Sequence, residues 1–177
     1  PVADRHAVYF LLGIFLSLQL TPQRLLPSLS AELAARCEDT MCGIVGLFLK
    51  NKALEPKLGS MLSQMLGTMC ERGPDSAGFA IYGSGSANAI KLTLRGPEET
   101  DFKALAKKLE RVANGPITIT PRATHAVLSI PAAAESDVRD ELTRVAPEIS
   151  VVGAGTHMEL YKEVGMPTDV AKRFALE

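Results

Sequence analysis

Residues 41–50 read MCGIVGLFLK. The run 43–50 is compact and apolar, with Ile44, Val45 and Phe48, which is the composition of a buried strand. Its setting is unusual. Met41, Cys42 and Gly43 resemble a chain start, yet they lie inside a chain whose first residue is Pro1. Downstream, Pro56 suits the first turn of a helix. Leu58, Met61, Leu62, Met65, Leu66 and Met69 follow at helical spacing, so 56–70 reads as an amphipathic helix. The methionines read as core filling and Cys70 as a small hydrophobe closing the helix. ERGPDSAG (71–78) is a loop, because Gly73 and Pro74 break regular structure. GFAIYG (78–83) and ANAIKLTLR (87–95) are strands, and GSGS (83–86) between them predicts a hairpin.

The next stretch has its own rhythm. Phe102, Leu105, Leu109 and Val112 mark a helix over 101–113, closed by Asn114-Gly115. PITIT (116–120) and HAVLSI (125–130) read as strands, 135–146 as a helix, and EISVVG (148–153) as a strand. With the strand at 87–95 the order is β-α-β-β-α-β, that of a ferredoxin-like unit. The tail, MELYKEVG and then PTDVAKRFALE, reads as two helical pieces separated by Gly165 and Pro167, with His157 opening the first.

Upstream, AVYFLLGIFLSLQL (7–20) is apolar and preceded by Arg5 and His6. A spanning helix needs roughly 20 apolar residues, so the run is short for a membrane span. A positive flank and a short apolar core resemble a signal h-region. Three readings compete: a signal peptide, a removable pro-segment, or sequence upstream of the true start. We take 1–40 as a leader of the third or second kind.

The chain has 177 residues, 46% of them hydrophobic, which allows one domain with a real core and an appendage. The net charge of -1 carries no signature of nucleic-acid binding. Cys37, Cys42 and Cys70 form no disulfide framework and no CxxC pair, and His6, His125 and His157 are scattered. No metal and no cofactor is expected, and a reducing, cytoplasmic setting with no membrane or nucleic-acid partner fits best. His125 and His157 read as structural or solvent-facing residues.

A thiol beside a free chain amine is a self-contained nucleophile and base. The α-amine titrates at about 7.7–8.0 and a free thiol at about 8.5, both near neutrality. The amine can take the proton as sulfur attacks a carbonyl and return it to the leaving nitrogen. This needs Cys42 to be the first residue, since a peptide nitrogen is not a base. Gly43 leaves the backbone there open to a substrate.

MCGIVG (41–46), a helix, and then RGPDSAG (72–78) entering a strand resemble the class II glutamine amidotransferases, which are Ntn hydrolases with an N-terminal cysteine. Within that family the wording looks most like the separate amidotransferase subunits related to glutamate synthase, as in N-methylglutamate synthase. The resemblance implies an α+β fold: the N-terminal part of an Ntn-hydrolase αββα sandwich, here with a ferredoxin-like βαββαβ insert. It implies hydrolysis of the glutamine side-chain amide, with the ammonia passed to a synthase partner. It assigns Cys42 as nucleophile, Arg72 as a site-supporting residue, and Gly73 and Asp75 as loop-shaping ones. It divides the chain into a leader at 1–40, the start of the amidotransferase domain at 42–95, the α/β insert at 96–155 and the start of a truncated continuation at 156–177.

The family's Arg-containing HTR-type motif, its oxyanion Asn-Gly pair and its later Asp have no match here. Asn114-Gly115 reads as a turn, and neither Thr124-His125 nor Thr156-His157 is followed by Arg. Loss of one oxyanion donor costs about 10²–10³ in rate, so the chain ending at Glu177 is expected to be nearly inactive alone and the natural protein to continue. The alternative is a non-catalytic amidotransferase-like subunit. A hydrolase of another amide fits RGPDSAG less well.

Overall fold

The computed structural model describes residues 8–10, 43–71 and 75–176, the first of these as backbone only. The elements are β1 (Val8–Phe10), β2 (Gly46–Phe48), α1 (Leu58–Gly67), β3 (Ser76–Tyr82), β4 (Ala89–Arg95), α2 (Phe102–Ala113), β5 (Thr118–Arg122), β6 (His125–Pro131), α3 (Glu135–Val145), β7 (Ser150–Gly155), β8 (Met158–Val164) and α4 (Pro167–Arg173). The strands form two four-stranded sheets, ordered β2-β1-β3-β8 and β5-β6-β4-β7. Every neighbouring pair is antiparallel.

The second sheet follows its sequence pattern closely. Leu92, Leu94, Ala126, Leu128 and Ile130 alternate onto one face and meet Phe102, Leu105, Leu109, Val138 and Leu142 of α2 and α3 in the largest core cluster. Asp101 caps α2 by accepting from the backbone of Lys103 and Ala104, and Asn114 ends it in the left-handed region (φ 47°), as the Asn-Gly turn predicted.

The opposite face of that sheet meets the first one. Lys91 of β4 pairs with Glu159 of β8 at 2.7 Å, and Arg95 with Glu163 at 2.8 Å. The Thr93 hydroxyl accepts from the Leu160 backbone. Above this seam Leu62 and Leu66 of α1, Ala77 and Phe79 of β3, Tyr161 of β8 and Val170, Ala171 and Phe174 form the second cluster. The leucines of α1 are its buried residues, and its methionines are only partly buried beside them.

Four expectations need correction. Strands 78–83 and 87–95 do not form a hairpin: both edges of β3 are taken by β1 and β8, and both edges of β4 by β6 and β7. The chain steps between sheets after Gly83, whose N–H donates to the His157 carbonyl. MELYKEV is a strand, not a helix. Tyr161 and Glu163 alternate inward, and all seven of its residues pair with β3 from Met158↔Tyr82 to Val164↔Ser76. His157 therefore precedes a strand. The long strand 43–50 is only Gly46–Phe48. Finally, Lys52–Lys57 form a 3₁₀ segment before α1. Pro56 has no N–H to make an α-helical bond back to Lys52, so the regular helix starts after it. The PTDVAKR helix stands as α4.

Among the described residues no helix is long and apolar enough to cross a membrane. The apolar run 7–20 lies outside the described residues except for β1.

Candidate functional site

Cys42, Arg72 and Gly73 lie outside the described residues, and Asp75 is described. What the structure fixes is how the chain enters the strands beside them. β2 and β3 are both antiparallel to β1, so they run in the same direction, with Gly46 and Ala80 both level with Phe10. With β1 between them, the lead-in Gly43–Val45 and the Asp75–Ser76 start of β3 therefore lie toward one end of one sheet. Val45 packs against the cluster that holds Ala77 and Phe79. Asp75 is exposed, and its carbonyl accepts from Gly165 N–H at 2.9 Å. Gly165 has φ 131°, a conformation that favours glycine, and this turn closes β8 against the start of β3.

Sequence reading missed the polar cluster near this end of the sheet. Glu163 is 6% exposed. One carboxylate oxygen accepts from Arg95 at 2.8 Å and from the Val164 backbone at 3.0 Å. The other accepts from the Thr124 hydroxyl at 2.7 Å. Burial acts to raise the Glu163 carboxyl, but the bonds from Thr124, Arg95 and Val164 outweigh it and hold the group down at about 2.

His125 is fully buried between Tyr161 and Phe174, with ring centroids at 5.8 and 5.2 Å. Burial lowers its imidazole to about 4, against the pull of Glu163 and with that of Arg95. The hydrogen bonds define the tautomer. Thr124 spends its one proton on Glu163, so at 3.0 Å it accepts from His125 Nδ1–H. Lys162 N–H donates to Nε2 at 3.3 Å, which requires that nitrogen to be bare. The chain of donors runs Lys162, His125, Thr124, Glu163, with no polar side-chain atom left unpartnered among the described buried residues. The signal in sequence was the alternation Tyr161, Glu163 within MELYKEV, legible once that stretch is a strand.

Beside Glu163 lies a cavity of about 370 Å3 walled by Arg95, Glu98, Thr124, Glu148 and Arg173 among others. Its charges are of both signs, so it has no evident preference for an anion or a cation. Among the described residues no three His, Cys, Asp or Glu side chains gather in a way that could hold a metal ion. Cys70 is a partly buried free thiol after α1.

No protein-family model matches the chain. It is 50% identical over 135 residues to the "Glutamine amidotransferase-like protein GlxB" of Rhizobium meliloti, covering 76% of this chain and 44% of that protein. It is 51% identical over 43 residues to the "Putative glutamine amidotransferase" of Methanothermobacter thermautotrophicus, covering 24% of this chain and 14% of that one. The chain is thus similar to glutamine amidotransferase-type proteins and spans less than half the length of either relative.

Proposed function

We propose that this chain is the N-terminal part of a class II glutamine amidotransferase, with Cys42 as the nucleophile once it is the first residue. The observation that carries the reading is a packing contact that does not depend on the leader: Val45, within MCGIVG, packs against the cluster that holds Ala77 and Phe79, at and just after the end of RGPDSAG. Similarity to GlxB over most of the chain supports the same reading.

In this reading the Cys42 α-amine takes the thiol proton as sulfur attacks the δ-carbonyl carbon of glutamine. The amine returns that proton to the leaving nitrogen, ammonia departs, and a thioester remains. Water hydrolyses the thioester to glutamate and frees the thiol. Arg72 supports the site, and Gly73 and Asp75 shape the loop beside the sulfur. Ammonia passes to a synthase subunit, and the setting is cytoplasmic.

Two features support the finer assignment. The order β5-β6-β4-β7, with α2 and α3 on one face, supports the ferredoxin-like reading of that sheet. In the first sheet α1 and α4 cover the face of Phe79 and Tyr161, which supports the layered reading.

The test is glutamate release from glutamine by the full-length protein begun at Cys42. Cys42→Ala should abolish release, and Cys70→Ala should leave it intact. A folded full-length protein that consumes no glutamine, with an unreactive Cys42 and a bound synthase subunit, would favour a non-catalytic subunit instead.

A further inference from the structure

We propose that Glu163 and Thr124 are positioning residues: through them the β4–β7 sheet clamps the end of β8 and thereby fixes the Asp75 end of β3. The geometry is continuous. Glu163 reaches from β8 to Arg95 of β4 and to Thr124 at the head of β6. The same carboxylate accepts from the backbone of Val164, the residue paired with Ser76. The next residue, Gly165, donates to the Asp75 carbonyl. His125, held by the Lys162 backbone, keeps the Thr124 oxygen supplied with a proton so that its own hydroxyl points at Glu163.

A buried carboxylate is a poor means of adding stability, since well-packed apolar side chains often serve as well. What it adds is direction. Its two oxygens accept three bonds: those from Arg95 of β4 and from Thr124, just before β6, set where β8 ends relative to the second sheet, and the third is local, from Val164. A slip there is passed through the Gly165–Asp75 bond to the loop residues of the proposed site. The kinetic part of the proposal rests on the glutaminase reading, and the exchange part does not.

The experiment uses the full-length protein with Glu163→Gln, Thr124→Val and Thr124→Ser. In Glu163→Gln the amide nitrogen or oxygen facing Thr124 can no longer serve all three donors. In Thr124→Val the hydroxyl is lost at similar volume, and in Thr124→Ser it is kept. Hydrogen exchange is read at Gly165 and at residues 75–78, with α2 as internal reference, alongside glutaminase kinetics. Glu163→Gln and Thr124→Val should speed exchange at Gly165 and 75–78 about tenfold with α2 unchanged, and lower kcat/KM by about ten- to a hundredfold, the scale of a small misplacement at a reacting centre. Thr124→Ser should restore both. Unchanged exchange at Gly165, or equal loss of protection in α2, overturns the clamp. So does local loosening with kcat/KM intact in an active protein. If the unsubstituted protein releases no glutamate, the glutaminase reading fails, and the exchange result alone decides whether the clamp exists.

Discussion

Gly78 sits against the backbone of Tyr161: a β-carbon added at Gly78 would lie 2.6 Å from the Tyr161 carbonyl oxygen. The obstacle is main chain in the paired strand β8, so no side-chain rotation relieves it. The last glycine of RGPDSAG is therefore required by strand packing, whatever the loop before it does. Gly78→Ala should destabilise the protein by about 2 kcal/mol, the usual scale of overpacking, measured as a shift of the urea midpoint. An unshifted midpoint would mean that β8 can move away.

Acid stability should report His125. Its folded value, about 4, lies below the ordinary imidazole value of 6.5. As pH falls the unfolded chain takes the proton first, so stability is full above 6.5 and is lost on the way down to 4. Between pH 7 and pH 5 the loss is about 2 kcal/mol. Glu163, lowered to about 2, adds a second loss below the ordinary carboxyl value of 4.5. His125→Gln keeps a donor toward Thr124 and an acceptor toward Lys162 but does not titrate. Its unfolding free energy should vary much less between pH 7 and pH 5.

Arg95→Ala would leave the Glu163 carboxylate buried without its cationic partner. Because the arginine side chain is 42% exposed, the cost should be discounted from that of a fully buried pair to about 2 kcal/mol. Arg95→Lys should recover part of it, a single ammonium replacing a planar fork. Chemical denaturation of the three proteins side by side is the check, and equal stabilities would count against the pair.

At the start of α2, Asp101→Ala removes an acceptor that serves the N–H groups of Lys103 and Ala104 at 3.1 and 3.0 Å. The expected loss is about 1 kcal/mol, and Asp101→Asn should retain most of the stability.

The second sheet was legible in sequence because its information is local. Apolar residues two apart in 87–95 and 125–130, three and four apart in α2, and an Asn-Gly stop are all short-range signals. The first sheet was less so. In MELYKEV the inward positions include Tyr161 and Glu163, and the exposed ones include Val164, the reverse of simple apolar alternation. Partners distant in sequence, Arg95 and Lys91 of β4 and the Thr124 hydroxyl, make a strand with inward glutamates tolerable. GSGS likewise fits a hairpin by composition, and nothing local says that both strands already have neighbours. Of the proposed site, Asp75 lies among the described residues, and Cys42, Arg72 and Gly73 lie outside them.

The pairing of β3 with β8 also orders events on the ribosome. Ser76 must wait for Val164, and Tyr82 for Met158, while everything from Ser84 to Thr156 is made in between. That intervening stretch contains its own sheet, helices and core, so it can consolidate as it emerges. β3 meanwhile offers an unsatisfied row of amides and carbonyls to any passing strand. Chaperone dependence during synthesis should therefore concentrate on the first sheet, and a released chain truncated just before Met158 should be sticky in spite of a folded second sheet.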